Sequence, residues 1–237
     1  MLTISNFSKS FDGKEIIKDI TFSLKKGQII GIWGNNGSGK TTLIKSILGF
    51  YNSESYYGNI DMTPDIKIGY VPQSPDEFLL PWKTSISNLR LHYPIFNKKE
   101  ASEHLLKFLK ADFFNLYPFK LSGGNMQRLS WACSVLPDKQ LLLLDEPFSK
   151  QDINNSEKLI RILRNYISES LRGAIIVSHD PQLLIKCSDK IYLIRNEDED
   201  KPASIVNHFE LSINLDERLN IHKTHDTYLK SLYSIYK

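Results

Sequence analysis

The sequence predicts an α/β fold with a mostly parallel sheet, into which a helical subdomain is inserted. Three observations carry that class. Residues 28–48 read in succession as a buried strand, a glycine loop and a helix. Leu141-Leu142-Leu143-Leu144-Asp145 is a continuous apolar run, the pattern of a strand buried on both faces of a parallel sheet. From about residue 75 to 135 the alternation of strands disappears and helical spacing takes over.

Taken in order, residues 1–33 read as short strands: Ile20, Phe22 and Leu24 alternate with polar neighbours, and Lys26-Gly27 marks a turn. Phe11 falls in a polar stretch, Ser8 to Gly13, read as a loop; it is either a hydrophobic plug or an aromatic face on which a base can stack. Gln28 to Trp33 then leads into Gly34-Asn35-Asn36-Gly37-Ser38-Gly39-Lys40-Thr41-Thr42, which fits G-x-x-x-x-G-K-[ST] at every fixed position. In that setting glycines let backbone N–H groups converge on an anion, and the following helix adds its positive end. Lys40 is expected to reach the β- and γ-phosphates, and the Thr41 hydroxyl to ligate Mg²⁺. The helix runs through Leu43, Ile44 and Ile47 and stops at Gly49.

Residues 51–65 are polar and read as surface loops, before a strand at Ile66–Val71 that ends at Pro72-Gln73. Within the helical stretch, Asn97-Lys98-Lys99-Glu100 has the form of a capping box, with Ala101, Leu105, Phe108 and Leu109 on one face behind it. Leu121-Ser122-Gly123-Gly124-Asn125 opens a further helix with Ser122 as N-cap; it is either a plain turn or a second anion site. The apolar strand at 141–145 ends in Asp145, Glu146 and Pro147, at the sheet edge where open α/β folds bind ligands. There Asp145 is expected to hold Mg²⁺, and Glu146 to face the γ-phosphate and deprotonate a water. An amphipathic helix over 153–172, a buried strand Gly173–Val177 ending in Ser178-His179-Asp180, and a last core strand at Lys190–Ile194 complete the body. Leu229, Leu232, Tyr233 and Tyr236 share one helical face in the tail, whereas His222 and His225 lack the partners a metal site needs.

The 237 residues suit one large domain, and 41% hydrophobic residues suffice for a sizeable core. A formal charge of +3 argues against the basic face of a nucleic-acid binder. Cys133 and Cys187 lack metal or redox spacing and fit buried residues in a reducing cytosol. No run reaches the 18 or so apolar residues that span a bilayer, so any membrane role is expected through a partner.

Together these motifs resemble the ATPase subunit of ATP-binding cassette (ABC) transporters over about residues 2–195: the loop at 34–42, Gln73, Leu-Ser-Gly-Gly-Asn at 121–125, Leu-Leu-Leu-Leu-Asp-Glu-Pro at 141–147, Asp152, and Ser-His-Asp at 178–180. The resemblance implies a P-loop nucleotidase core, an N-terminal antiparallel β-subdomain and an inserted helical signature subdomain at about 75–135, in one domain with a short tail from about 201 to 237. It implies ATP and Mg²⁺ as cofactors, with Phe11 stacking on adenine and Gln73 touching Mg²⁺ and the attacking water while sensing a membrane partner. Glu146 is the implied catalytic base, His179 holds the γ-phosphate, and Asp152 bridges subunits. Ser122 and Gly124, within the signature Leu121–Asn125, are implied to contact the γ-phosphate bound on a second cassette. Partners so implied are integral-membrane permease subunits, a second cassette (a homodimer) and a solute-binding protein, with the chain on the cytoplasmic, inner face of the cell membrane. Leu79-Leu80-Pro81-Trp82-Lys83-Thr84 is similar to importer ATPases of the nitrate, sulfonate and taurine type. Export remains the alternative, followed by a non-transport ABC ATPase or a P-loop kinase. The chain departs from the family's usual text at Asn125, at Ser149-Lys150-Gln151 before Asp152, and at Cys133, where glutamine, a small-apolar pair and arginine are common.

Overall fold

The computed structural model describes residues 1–51, 56–169, 172–196, 198, 201–211 and 230. In chain order its strands are β1 (Leu2–Phe11), β2 (Lys14–Leu24), β3 (Ile29–Trp33), β4 (Tyr56–Met62), β5 (Ile68–Val71), β6 (Leu141–Asp145), β7 (Gly173–Ser178), β8 (Lys190–Asn196) and β9 (Ala203–Glu210). Its α-helices are α1 (Lys40–Ile47), α2 (Ser85–His92), α3 (Lys98–Leu106), α4 (Gly123–Ser134), α5 (Ile153–Ser168) and α6 (Pro181–Cys187).

Among the described residues the strands form one sheet, ordered β4-β1-β2-β9-β8-β3-β7-β6-β5. The block β8-β3-β7-β6-β5 is parallel throughout, and β4-β1-β2 is antiparallel. Strand β9 joins the two, running parallel to β2 and antiparallel to β8. The parallel block is covered on both faces, which explains its unbroken apolar strands. Leu141, Leu143, Ile175 and Val177 pack with α1 through Leu43, Ile44 and Ile47. Leu142, Leu144, Ala174 and Ile176 pack on the other face with Leu159, Leu163 and Ile167 of α5 and Leu129 and Trp131 of α4. No strand lies between β5 and β6, and the intervening chain is helical or 3₁₀ with connecting turns.

The structure corrects several expectations. Residues 56–62 are not a surface loop but the edge strand β4; its side chains are mostly exposed, so no apolar alternation marks it in the sequence. The core does not end at residue 194, because β9 at 203–210 belongs to the sheet, and the expected tail loses its first stretch. Phe11 is the last residue of β1, not a loop residue; only Asp12-Gly13 forms the turn, with φ of 50° and 80°. The helix expected to reach 172 ends at Ser168. The capping box at Asn97 is present: Asn97 Oδ1 accepts from Glu100 N at 3.0 Å, and Glu100 Oε2 from Asn97 N at 2.9 Å. The tail positions Leu229, Leu232, Tyr233, Tyr236, His222 and His225 lie outside the described residues.

Candidate functional site

Strand β3 ends in the glycine loop, and α1 begins at Lys40 with Gly39 as its N-cap at φ 78°. That left-handed backbone needs glycine. So does the packing, since a Cβ on Gly39 would lie 2.3 Å from Ile17 Cγ2. An open cleft of about 290 Å³ follows, lined by Ile16, Asn36, Gly37, Thr42, Gln73 and the titratable groups of the loop and the strand end. Lys40 folds back over the loop, donating from Nζ to the carbonyls of Gly34 and Asn35, each at 2.8 Å. Burial lowers its pKa, and the charges of Glu146 and Asp145 pull it back up.

Asp145 ends β6 beside Thr41. Both of its carboxylate oxygens are buried without a well-formed hydrogen bond. Burial pushes its pKa up to about 6; the Thr41 hydroxyl opposes that rise and the charge of Glu146 adds to it. Glu146 is nearly buried and sits at φ 45°, an uncommon backbone conformation for a residue with a side chain. Its carboxylate is turned toward the end of β7. Oε1 accepts from the His179 backbone N–H at 2.8 Å and lies 2.9 Å from His179 Nδ1, while Oε2 accepts from Ser178 Oγ at 2.9 Å. The expectation that Glu146 faces the γ-phosphate therefore meets a carboxylate that lines the cleft with its oxygens held by the neighbouring strand end. His179 is 55% exposed at its side chain, and its carbonyl accepts from Trp33 Nε1 of β3. The sequence places Ser178 in the Ser-His-Asp stretch but gives it no role; the register of β7 against β6 brings its hydroxyl to Glu146.

Phe11, 37% exposed, meets Tyr51 edge to face at 5.0 Å, with the Lys9 ammonium 4.8 Å from its ring. It is thus neither a buried plug nor an isolated face, but the outer member of a small aromatic cluster.

The second glycine turn lies apart from this cleft. Ser122 caps α4, its Oγ accepting from Asn125 N at 3.3 Å. Leu121 is buried beneath the turn, while Ser122 is exposed. Helix α4 is tied to the exits of both carboxylate-side strands. Gln127 Nε2 donates to the Pro72 carbonyl at 3.2 Å, one residue before Gln73, and Trp131 Nε1 donates to the Pro147 carbonyl at 3.1 Å. Asp152 caps α5, accepting from Asn155 N at 2.8 Å. The structure thus brings Gln73, Lys40, Thr41, Asp145 and Glu146 to one cleft, sets His179 against Glu146 in the adjoining pocket, and leaves Leu121–Asn125 outside the cleft lining.

Strand, phosphate-binding glycine loop, helix, and a strand-end aspartate facing the loop define the P-loop nucleotidase class. The family model described as ABC transporter matches residues 17–149, and the chain belongs to that family as an ATP-hydrolysing cassette. It is similar to the aliphatic sulfonates import ATP-binding protein SsuB of Albidiferax ferrireducens, 31% identical over 82% of this chain and 71% of the relative. It is also similar to the zinc import ATP-binding protein ZnuC of Buchnera aphidicola, 35% identical over 76% of this chain and 74% of that protein. A solved ATP-binding subunit of an ABC transporter superposes with a TM-score of 0.77 over 100% of both chains at 20% identity. A dimeric bacterial ABC transporter cassette does so at 0.75 over 90% of this chain and 100% of its own, at 22% identity; both likenesses concern the fold. Sulfonate-import relatives are of the kind that the resemblance at Leu79–Thr84 indicated.

Proposed function

We propose that this chain is the energy-supplying subunit of a solute importer, one of a pair of identical cassettes that hydrolyse ATP at the inner face of a cell membrane and drive a separate integral-membrane permease fed by a solute-binding protein. The observation that carries the reading is the division between two glycine turns: Lys40, Thr41, Asp145, Glu146 and Gln73 share one cleft, while the exposed Ser122 turn lies outside its lining. A second copy placed head to tail would set its Ser122 turn over this cleft and complete each site. Relatives named as import ATP-binding proteins support the transport direction. Among the described residues no helix is long and apolar enough to cross a membrane, which accords with a separate permease. We read the chain as one ATPase domain, with the helical subdomain at about 75–135 inserted between β5 and β6.

The residues present fit Mg²⁺. Asp145 offers two buried oxygens that make no well-formed hydrogen bond, and Thr41 and Gln73 add further oxygens, the hard ligands this ion takes. When bound, the ion would neutralise charge on the β- and γ-phosphates. The loop amides of Gly37, Ser38 and Gly39 and the start of α1 hold the phosphates, with Asn36 and Thr42 along the cleft. Lys40 exchanges the carbonyls of Gly34 and Asn35 for phosphate oxygens, and Phe11 offers its ring to adenine. Glu146 acts as base toward the attacking water once its carboxylate leaves Ser178 and His179, and the released imidazole turns to the γ-phosphate. Gln73 orients the water, and Asp152 meets the partner cassette. The deciding experiment reconstitutes the chain with its co-purifying membrane protein in vesicles. Inward solute flux that stops in the Glu146→Gln variant supports the proposal; outward flux makes the chain an exporter subunit, and ATP-independent flux removes the role.

A further inference from the structure

Two of the chain's departures from the family's usual text meet in space. Arg128, one turn into α4, donates from Nη2 to Asn125 Oδ1 and from Nη1 to Gln151 Oε1 at 2.7 Å. Gln151 Nε2 in turn donates to the Gly124 carbonyl at 2.9 Å. The three side chains and one carbonyl close a ring that ties the Ser122 turn to the segment leaving the carboxylate strand of the same molecule. The backbone approaches just as closely: a Cβ on Gly124 would lie 2.9 Å from the Lys150 carbonyl, so glycine is required there by contact, with no positive φ involved. The Lys150 side chain runs past Gly123, whose Cβ would lie 3.4 Å from Lys150 Cδ.

The ring has a geometric consequence. In the first turn of α4 the Asn125 N–H is taken by Ser122 Oγ, and the Met126 N–H by the Ser122 carbonyl. The N–H groups of Gly123 and Gly124 are then the pair left for a ligand at this helix start. The Gly124 carbonyl that Gln151 holds shares its peptide plane with the Asn125 N–H bonded to Ser122 Oγ, so the grip fixes that peptide from both sides and steadies the turn that carries the Gly123 and Gly124 N–H groups. Arg128, itself gripped by Gln151, fixes which way the planar amide of Asn125 points.

We propose that Gln151 is a positioning residue: through Arg128 and the Gly124 carbonyl it sets the aim of the Gly123–Asn125 donors toward ATP bound on the partner cassette. The inference rests on the paired-cassette reading. It explains how a signature with Asn125, one methylene shorter than glutamine, keeps its geometry. The shorter amide is reached by Arg128, and Gln151, standing where a small apolar residue is usual, anchors that arginine.

The test uses the full chain carrying Glu146→Gln, in which slow hydrolysis lets the ATP-bound pair accumulate. Dimerisation with ATP and Mg²⁺ is followed by analytical ultracentrifugation, and ATP affinity by titration of dilute protein below the dimerisation range. Adding Gln151→Ala is expected to weaken ATP-dependent dimerisation on the order of tenfold, the effect of losing a charge-assisted hydrogen bond and its companion. Monomer ATP affinity should stay unchanged. Gln151→Glu keeps an acceptor for Arg128 but loses the donor to Gly124, so it should also weaken dimerisation, isolating that arm. If Glu146→Gln alone forms no dimer with ATP, the paired-cassette reading fails. If it dimerises and Gln151→Ala dimerises equally well, only the role of Gln151 fails. A parallel loss of monomer ATP affinity would make Gln151 merely structural and overturn the proposal as well.

Discussion

Helices α1 and α4 both begin at glycine-bearing turns, yet one starts in a cleft lined by titratable side chains and the other at an exposed turn outside it. Helix α1 starts in a cleft lined by its own Lys40 and Thr41 together with Asp145 and Glu146 from the end of the neighbouring strand β6. It has no side-chain cap, so its donors stay uncommitted. Helix α4 starts at the exposed Ser122, which caps the helix, and the ring of Arg128, Gln151 and Asn125 steadies it. The difference teaches that a helix start suits a nucleotide's phosphates where the fold adds, in one cleft, a lysine and the oxygen ligands of a cation. A turn without them must borrow its ligand from elsewhere.

Four perturbations break or sharpen that contrast. The largest effect is expected from Glu146→Gln, which removes the base we propose for the α1 cleft. ATP turnover should fall by about 10³-fold in a phosphate-release assay, with ATP still bound. Turnover at the wild-type rate would place the base elsewhere. Next, Lys40→Ala should weaken ATP binding by roughly a hundredfold in calorimetric titration, since two or more charge-assisted contacts to phosphate are lost. An unchanged affinity would mean that the α1 start does not need its countercharge, and the comparison would collapse.

Asp145→Asn reads the electrostatic cost of the cleft without nucleotide. The folded pKa of Asp145 is raised to about 6 from 3.8, so the folded state binds the extra proton between those values. Stability contributed by this group is therefore full below about pH 4, declines as pH rises, and is lost above about pH 6. The asparagine variant should thus be more stable than the parent by about 3 kcal/mol at pH 7 in urea unfolding, and show no gain near pH 4. A destabilised variant at pH 7 would mean that Asp145 is compensated by groups other than those in the cleft. The smallest effect belongs to α4: Ser122→Ala should leave ATP binding to the single chain unchanged but weaken ATP-dependent pairing about tenfold in sedimentation. Loss of binding to the single chain would make the Ser122 turn part of the same site as α1.

Much of the fold was legible because apolar period and punctuation agree. The glycine loop, the Leu141–Asp145 strand and the Asn97 capping box each carry their signal within about ten residues of chain. Strands β4 and β9 were not legible: β4 is a mostly exposed edge, and β9 mixes buried Ala203 with exposed polar residues, so neither shows a clean alternation. Phe11 was misplaced because its polar neighbours look like a loop while in fact pairing across β1 and β2.

The amino-acid order alone determined which residue types stand at the ends of the core strands and the starts of α1 and α4, since loop, cap and strand chemistry depend on near neighbours. Only the folded arrangement decided where those groups point. Glu146 turns to Ser178 and His179 across 32 and 33 positions of sequence, and Gln151 grips a helix whose Arg128 lies 23 residues before it. Such pairs are set by strand register and helix packing, and short stretches of sequence carry no record of either.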